Sequence, residues 1–590
     1  MIRRCTLWTA AVLAVFAVTA AQAAEDVYHA IPSDCWAFVA VNRIAETSAK
    51  VQKVGQLVGA PPVGLLDLAK ASAGVKKGLD ETGSAALVVM PGKNRKNADA
   101  AAPVFLIPVA DYKTFLASWG AKPSEKEKIV EVKIGGESML IANRGGYAAI
   151  SPREYRQALD KFLDAKRSVA DECPQLVPWL LENDGIAVAT SHGIKMASQG
   201  MQKELKQMRE TFAHMNEDSA MLITTVTTLE MYVKFLQWAE KDVDVIAAGA
   251  RIDKEGTVHV ATRTRFTKDS SFAATIAKLQ ASGKSPLLGM PGGQFMAAGG
   301  GVWSNSLTQG IVTSLTGLMK QIFGMAYDLD DKKAEELAKT LLDMPKGLRS
   351  LSVMIGPGQP GEPILSDMLV LYGVDDAKKY LDEYEKFIGA FDEAGKDGKA
   401  ASEKKVFAMK KTEVGGRPAL ETEMSLALSA KIKDTAGFEE SIGKFFGPGG
   451  KLKTLIVAVD EHTVAISFGD SGPLVMRAIA ALKQPSEALA GDADVAKVAA
   501  MLPAGSQWVG YVSPSGAVAF VKWVVDTMMP EASYGYKPNI PDFPASPPIG
   551  IAVKAMPGEL QTETIITTAV LEAIGKYVAI VQSAEHPEVP

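Results

Sequence analysis

Five short patterns occur twice along this 590-residue chain, in the same order each time, and that collinearity constrains the fold more than any single motif does. Pro32, four residues ahead of Trp36, returns as Pro291 four residues ahead of Phe295, each opening a strand of small residues. Val109-Ala110-Asp111-Tyr112-Lys113-Thr114-Phe115-Leu116 returns as Val374-Asp375-Asp376-Ala377-Lys378-Lys379-Tyr380-Leu381, a strand end running into a capped helix. Ile134-Gly135-Gly136 returns as Val414-Gly415-Gly416. Leu140 to Ser151 aligns without gaps on Ile456 to Ser467, sharing Ala142/Ala458, Ala149/Ala465, Ile150/Ile466 and Ser151/Ser467. A hairpin and helix near Val245 to Leu279 are echoed by Ile549 to Ile580. Small apolar strands resemble one another by composition, so no single match decides the matter. Their common order points to duplication followed by loop insertion and deletion, against the alternative of two unrelated domains with similar patterning.

The expected fold class is therefore α+β: two diverged copies of a mixed unit, with largely antiparallel sheets and helices packed on them, over residues 24–283 and 284–590. The extra length of the second copy falls within 393–446, in Glu393 to Lys411 and Lys431 to Phe446, charged segments read as solvated helix or loop. Asp526 to Pro548 carries six prolines with Tyr534, Tyr536 and Phe543, which predicts an exposed loop or an extended arm. Local punctuation supports the pattern. Pro103 to Ala110 reads as a buried strand and Asp111 as the cap of a helix through Trp119. Tyr147 to Ile150 reads as a strand, followed by a helix start at Ser151-Pro152-Arg153-Glu154, and Ser513-Pro514 repeats that device ahead of a helix through Val525.

The first residues set the compartment. Arg3 and Arg4, the apolar stretch Leu7 to Ala21 and the small residues of Ala21-Gln22-Ala23 form a secretory leader over 1–23, cut between Ala23 and Ala24. Cys5 precedes the apolar stretch, so no lipid anchor is implied. The expectation is an exported protein of the periplasm, cell envelope or exterior, with no transmembrane anchor in the mature chain. The uncharged run Ser285 to Met319 is broken by Pro291, Gln294, Ser304, Asn305, Gln309 and eight glycines, and it reads as a buried strand followed by a buried helix. Loss of Arg3 and Arg4 leaves 61 basic against 68 acidic residues, a net charge of −7 with no basic face, which argues against nucleic acid as a partner. Cys35 and Cys173 are the cysteines of the mature chain; they permit one disulfide and exclude a four-thiolate metal site.

Motifs that could carry chemistry are incomplete. Gly469-Asp470-Ser471-Gly472-Pro473 invites comparison with the nucleophile turn of trypsin-like proteases, but it departs by one glycine and the chain has no Ala-Ala-His-Cys segment. A helix-capping turn accounts for it. The histidines His29, His192, His214, His259, His462 and His586 include no two at a metal-binding spacing. Asp328-Leu329-Asp330-Asp331 begins like a calcium loop, yet Lys332 and Lys333 follow where a ligand and the turn glycine belong, and Asp397-Gly398 fails similarly. Phe445 and Leu452 spoil the phosphate-loop pattern around Gly447-Pro448-Gly449-Gly450-Lys451. Gly299-Gly300-Gly301 lacks the dinucleotide fingerprint, and Ser441-Ile442-Gly443-Lys444 is too short a pattern to carry weight. Met201, Leu205, Met208, Phe212 and Met215 form one apolar seam of a long helix, read as ordinary packing or as a groove for an apolar ligand.

The opening Ile31-Pro32-Ser33-Asp34-Cys35-Trp36-Ala37-Phe38-Val39-Ala40-Val41, the run Phe105-Leu106-Ile107-Pro108-Val109-Ala110-Asp111-Tyr112-Lys113 and the stretch Gly145-Gly146-Tyr147-Ala148-Ala149-Ile150-Ser151 resemble large exported proteins of planctomycete bacteria whose function is unassigned. The resemblance covers most of the first copy and, more faintly, the second. It implies no catalytic residue and no cofactor. The functional expectation is a non-catalytic binding or scaffolding protein, with an envelope protein or a small apolar ligand as partner. The alternatives are an exported hydrolase with a dispersed site, for which Ser471, His192 and His462 are candidates, and a carrier of an apolar ligand along the methionine seam.

Overall fold

Strands such as Ala85–Gly92 (Ala-Ala-Leu-Val-Val-Met-Pro-Gly) carry apolar residues on both faces, and such strands are favoured where both faces are covered. The computed structural model describes residues 26–62, 64–92, 100–122, 128–212, 232–233, 237–279, 287, 289–303, 320, 330–343, 347–358, 362–396, 407–425, 443–444, 446–469, 472–528 and 539–585. They gather into two compact α+β units: residues through Ser270, and Ser271–Gly558 with Thr562 onward, Glu559–Gln561 being grouped with the first. The leader with its Ala23/Ala24 junction and the boundary expected at 283/284 lie outside the described residues. Among the described residues no helix is long and apolar enough to cross a membrane.

In the first unit the strands are β1 (Ala37–Val41), β2 (Ala85–Gly92), β3 (Ala100–Pro108), β4 (Ile129–Ile134), β5 (Glu137–Arg144), β6 (Tyr147–Pro152), β7 (Gly185–Thr190), β8 (Val243–Ile252) and β9 (Val258–Phe266). They pair antiparallel in the order β4-β5-β6-β3-β2-β1-β7-β8-β9. One face buries Phe38, Val88, Leu106 and Val188 against Tyr28 of α1 (Val27–Ala30), Leu159 and Phe162 of α5 (Arg156–Asp164) and Leu180 of α7 (Val177–Glu182), with α6 (Val169–Glu172) between the last two. The other face buries Ile107, Ile141 and Ile150 against Ile44 of α2 (Ile44–Leu57), Leu66 of α3 (Leu65–Ala73) and Phe115 and Leu116 of α4 (Tyr112–Ala117). Helix α8 (Ser191–Phe212) follows β7.

The second unit contains a short α9 (Ser271–Ile276), then β10 (Ala297–Val302), α10 (Asp331–Asp343), β11 (Leu348–Ile355), β12 (Met368–Val374), α11 (Ala377–Lys396), β13 (Phe407–Val414) and β14 (Arg417–Ser425). It continues with β15 (Lys451–Ala458), β16 (Thr463–Phe468), α12 (Gly472–Lys483), α13 (Ala493–Ala499), β17 (Trp508–Val512), α14 (Pro514–Met528), β18 (Ile549–Met556), β19 (Glu559–Ile566) and α15 (Thr568–Glu585). The antiparallel order is β13-β14-β15-β16-β12-β11-β10-β17-β18. Met354, Leu371 and Tyr511 pack under Val475 and Ile479 of α12 and Val498 of α13, while Val370, Ile456 and Ile466 pack under Tyr380 and Leu381 of α11. The segment 539–548 has no regular structure; Phe543 stacks 5.0 Å from Tyr577 of α15, and Asp542 pairs with Lys522 of α14 at 3.0 Å.

Eight strands therefore keep one order in both units: β4-β5-β6-β3-β2-β1-β7-β8 and β14-β15-β16-β12-β11-β10-β17-β18. Strand β13 is extra. Three expectations change in consequence. The Gly415-Gly416 turn joins β13 to β14, one strand earlier than the β4–β5 turn at Gly135-Gly136, so those two turns are not equivalent. Ile141 pairs with Ile150 and Ile456 with Ile466, so Ile456 answers to Ile141 and the gapless match at Leu140 is one residue off in its first strand. A slip of one would turn that strand inside out; the longer 459–462 loop absorbs the difference. Residues 407–411, expected as helix or loop, belong to β13, where Lys411 reaches Glu385 of α11 at 2.9 Å. The remainder of the charged segment, 397–406 and 426–442, lies outside the described residues.

Capping follows the sequence at some sites and not at others. Asp111 accepts from the amides of Lys113 and Thr114 at 3.0 and 3.4 Å. Ser151 does not cap a helix. It sits within β6 and donates its hydroxyl to the Pro103 carbonyl at 2.9 Å, and α5 starts five residues later. Ser513 does cap α14, accepting from Gly516 N–H at 3.1 Å, as Thr190 accepts from Gly193 N–H at 3.3 Å at the head of α8. The amides of these two residues bond the carbonyls that precede the central strands: Thr190 to Trp36 at 3.0 Å and Ser513 to Met296 at 2.9 Å. Each helix starts so close to the central strand that a Cβ on Gly193 would overlap the Trp36 carbonyl, and one on Gly516 the Phe295 carbonyl.

A second device recurs at the opposite end of β7 and β17. Asp184 and Gln507 each donate a backbone N–H to β8 or β18 (Ala250 and Val553, 2.8 and 3.0 Å) and accept one from the end of β1 or β10 (Asn42 and Val302, both 2.9 Å). Their side-chain oxygens then accept from Ile252 N–H at 2.8 Å and Ala555 N–H at 2.7 Å. The aspartate adds Arg43 at 3.1 Å and Lys50 at 2.9 Å, and Arg43, at φ 43°, also donates to the Leu181 carbonyl at 2.6 Å.

Two outcomes are expected from denaturation midpoints. Gly193→Ala and Gly516→Ala should each destabilise by about 2–4 kcal/mol, because backbone must shift, whereas Gly200→Ala in the same helix as Gly193 meets open space and should stabilise by up to about 1 kcal/mol. Equal effects at 193 and 200 would refute the close approach. Asp184→Ala should cost about 3 kcal/mol or more by stranding Lys50 and an amide, and Gln507→Ala about 1–2 kcal/mol by stranding the amide alone. The reverse order would show that the charges at Asp184 contribute nothing.

Candidate functional site

The N-terminus of α11 is built by a short set of backbone demands. Asp376 accepts from Lys379 N–H at 2.9 Å, and Ala377 N–H donates to the Glu461 carbonyl at 2.9 Å. Asp375 N–H donates to the Gly347 carbonyl at 2.9 Å, its carboxylate pairs with Arg349, and its own carbonyl accepts from His462 Nδ1 at 2.9 Å. These bonds fix the loop before α11 against β11 and the β15–β16 turn.

Between this loop, α10 and α11 lies an open cleft of about 430 Å³. Val374, Tyr380 and Phe387 give it an apolar floor, and Asp375, Asp376, Lys379, Glu383 and Lys386 a charged rim, with Thr340 of α10 opposite. Burial and the neighbouring Tyr372 and Tyr384 push the Tyr380 phenol well above its usual range, and burial pushes Tyr384 up to about 12. Neither phenol can serve as a base near neutral pH. The Tyr380 ring of this floor packs 5.8 Å from that of Tyr372 on β12. An apolar floor with a few charges at its rim is suited to holding an amphipathic ligand.

Part of the cleft wall is material that the first unit lacks. Helix α4 ends at Ala117, but its counterpart α11 continues to Lys396, and Glu383, Lys386 and Phe387 belong to that extension. In the sequence this stretch stands out as one half of a repeated pattern. The further signal it carries is the spacing of Asp376, Lys379, Tyr380, Glu383, Lys386 and Phe387, which places charges and aromatics on one helix face.

The sequence candidates are dispersed. His192 is exposed in the first turn of α8 in the first unit; His462 belongs to the second and is bonded to Asp375. Asp470 and Ser471 lie outside the described residues. Gly469 and Gly472, which flank them, border a pocket of about 240 Å³ also lined by Thr412, Glu421, Lys453 and Thr454, and His462 is not part of its lining. His29 pairs with Asp26 at 3.0 Å and His259 with Asp253 at 3.5 Å; His214 and His586 lie outside the described residues. Along the methionine seam Leu205 is buried and Met201 is 41% exposed. Met215 lies outside the described residues, and Met208 and Phe212 are placed only as part of the helix. Asp330 caps α10 through the amides of Lys332 and Lys333 at 3.0 and 2.9 Å. Gly299 and Gly301 let β10 lie tight against β17, and Pro448–Gly450 forms a single 3₁₀ turn. Among the described residues, no group of three or more His, Cys, Asp or Glu side chains is arranged to hold a metal ion. Cys35 and Cys173 are buried free thiols. Comparison with family models, curated proteins and solved structures finds no match to the chain.

Proposed function

We propose that this chain is an exported, non-catalytic binding or scaffolding protein of the periplasm or cell envelope, made of two diverged copies of one α+β unit, with its ligand site in the cleft of the second copy. The observation that carries the reading is the use of the polar side chains. Asp184 and Gln507 hold the same amide in the two units, Thr190 and Ser513 cap equivalent helices, and Arg144 donates to the carbonyls of Ala30, Leu163 and Ala165. These polar side chains are committed to backbone. In the cleft Lys379, Glu383 and Lys386 lie at an opening, and its form fits an amphipathic small molecule or a protruding side chain of an envelope protein.

Photo-crosslinking in an exporting bacterium tests this. A photoreactive residue in place of Lys379 should give a discrete adduct that the same residue in place of exposed Lys133 does not. Equal adducts at both positions, or none at either, would remove the cleft from consideration.

The hydrolase reading keeps one observation in its favour, the pocket bordered by Gly469 and Gly472. A fluorophosphonate probe is expected to leave the purified protein unlabelled. Labelling that disappears in Ser471→Ala would overturn the non-catalytic reading and put hydrolysis in its place.

A further inference from the structure

The segment Ile31 to Cys35 is stitched to the segment Arg167 to Cys173. Ser33 N–H donates to the Arg167 carbonyl at 3.1 Å, Val169 N–H donates to the Ile31 carbonyl at 2.9 Å, and Pro32 faces Ser168 across the bridge between them. Cys35 ends the turn that leaves this bridge on one side, its N–H bonded to the Pro32 carbonyl at 3.3 Å; Cys173 ends α6 on the other, its N–H bonded to the Val169 carbonyl at 2.9 Å. Both thiols are buried in the same apolar cluster, with Phe38 and Val188 of the sheet and Leu180 of α7. The second unit repeats the stitching, Gly292 to Glu487 and Leu489 to Met290, both at 2.7 Å, in a part of the chain that holds no cysteine. The thiols are therefore not required by the stitch itself.

The geometry points to Cys35 and Cys173 as an oxidisable pair whose disulfide locks the N-terminal segment 26–35 onto α6, the free thiols being its reduced form. The thiolate of one cysteine attacks the disulfide of a glutathione-type or protein oxidant and displaces one of its thiols; the second cysteine then attacks the mixed disulfide and releases the other. Two electrons and two protons pass to the oxidant, which leaves as two thiols. In the closed core Arg265 donates to Cys173 Sγ at 3.1 Å, and burial still holds that thiol above its usual range. Burial pushes the Cys35 thiol up to about 12, so exchange belongs to folding, while the core is open, and is slow once it has closed.

The test uses the full chain carrying Cys5→Ser, unfolded and refolded in oxidised and reduced glutathione, with thiols counted by maleimide mass shift in denaturant. Oxidative refolding should remove both maleimide adducts, yield a peptide pair joining residues 35 and 173, and raise Tm by on the order of 10 °C over the reduced protein, because the bond closes a loop of well over a hundred residues. Cys35→Ser should instead trap a single glutathione on Cys173. Two free thiols after oxidative refolding, or two separate glutathione adducts, would overturn the pairing. Because the experiment is done in vitro, its failure would leave the export and binding reading untouched.

Discussion

A single carbonyl ties each unit together. In the first it is that of Trp36 and in the second that of Met296, each at the head of the strand that has sheet on both sides. The strand crossing beside it, β7 or β17, ends by donating to that carbonyl and turns at once into a helix, so the helix axis begins within contact of the sheet. Such proximity demands a residue without Cβ at the third helical position of both, and glycine is there. With the helix and the central strand fixed, antiparallel neighbours extend the sheet outward, and the apolar residues alternating along them must each find cover. The layered form, helix on sheet on helix, follows from that demand more than from any helix propensity.

How much of this was legible in the sequence depended on whether a signal was local. Asp111 and Ser513 precede their helices directly, and their caps form where the residues predict. Ser151 carries the same local signature, but the strand claims it: its hydroxyl finds the Pro103 carbonyl on β3, forty-eight residues earlier in the chain, and no local pattern announces that partner. The repeated order of segments was visible because strands and caps recur in order. Register was not, because a hairpin loop of different length moves one strand by a residue while leaving its composition unchanged. Asp184 was overlooked for a related reason. An acid between a short helix and an apolar strand looks like a turn residue until its distant partners, Ile252, Arg43 and Lys50, are brought to it.

The two units differ most instructively where they make the same bond with different chemistry. Gln507 holds the Ala555 amide with a neutral carbonyl and needs no counter-charge. Asp184 holds the Ile252 amide with a carboxylate, and a buried carboxylate is tolerable only with cations beside it, so the first unit must place Lys50 on α2 and Arg43 in a left-handed turn at its start. Where the second unit has Trp303, the first has Arg43, whose guanidinium reaches the Asp184 carboxylate. A difference of this kind alters a polar network and leaves the sheet intact.

Function calls for the opposite kind of difference, an alteration that leaves the fold satisfied and adds surface. The long α11 and the extra strand β13 meet that description. The equivalent of Tyr380 in the first unit is Phe115, buried under α4, and the chain there turns away after Ala117. In the second unit the helix runs on, β13 adds an edge that Lys411 and Glu385 link to it, and the added turns bury Phe387 and Ile388 while presenting Glu383 and Lys386 at the cleft. The floor of the cleft is thus core packing, through Tyr380 and Phe387, while Lys379, Glu383 and Lys386 supply a rim of both charges. Under the binding reading proposed above, that rim, and not the better-bonded polar networks, is the place to look for a ligand.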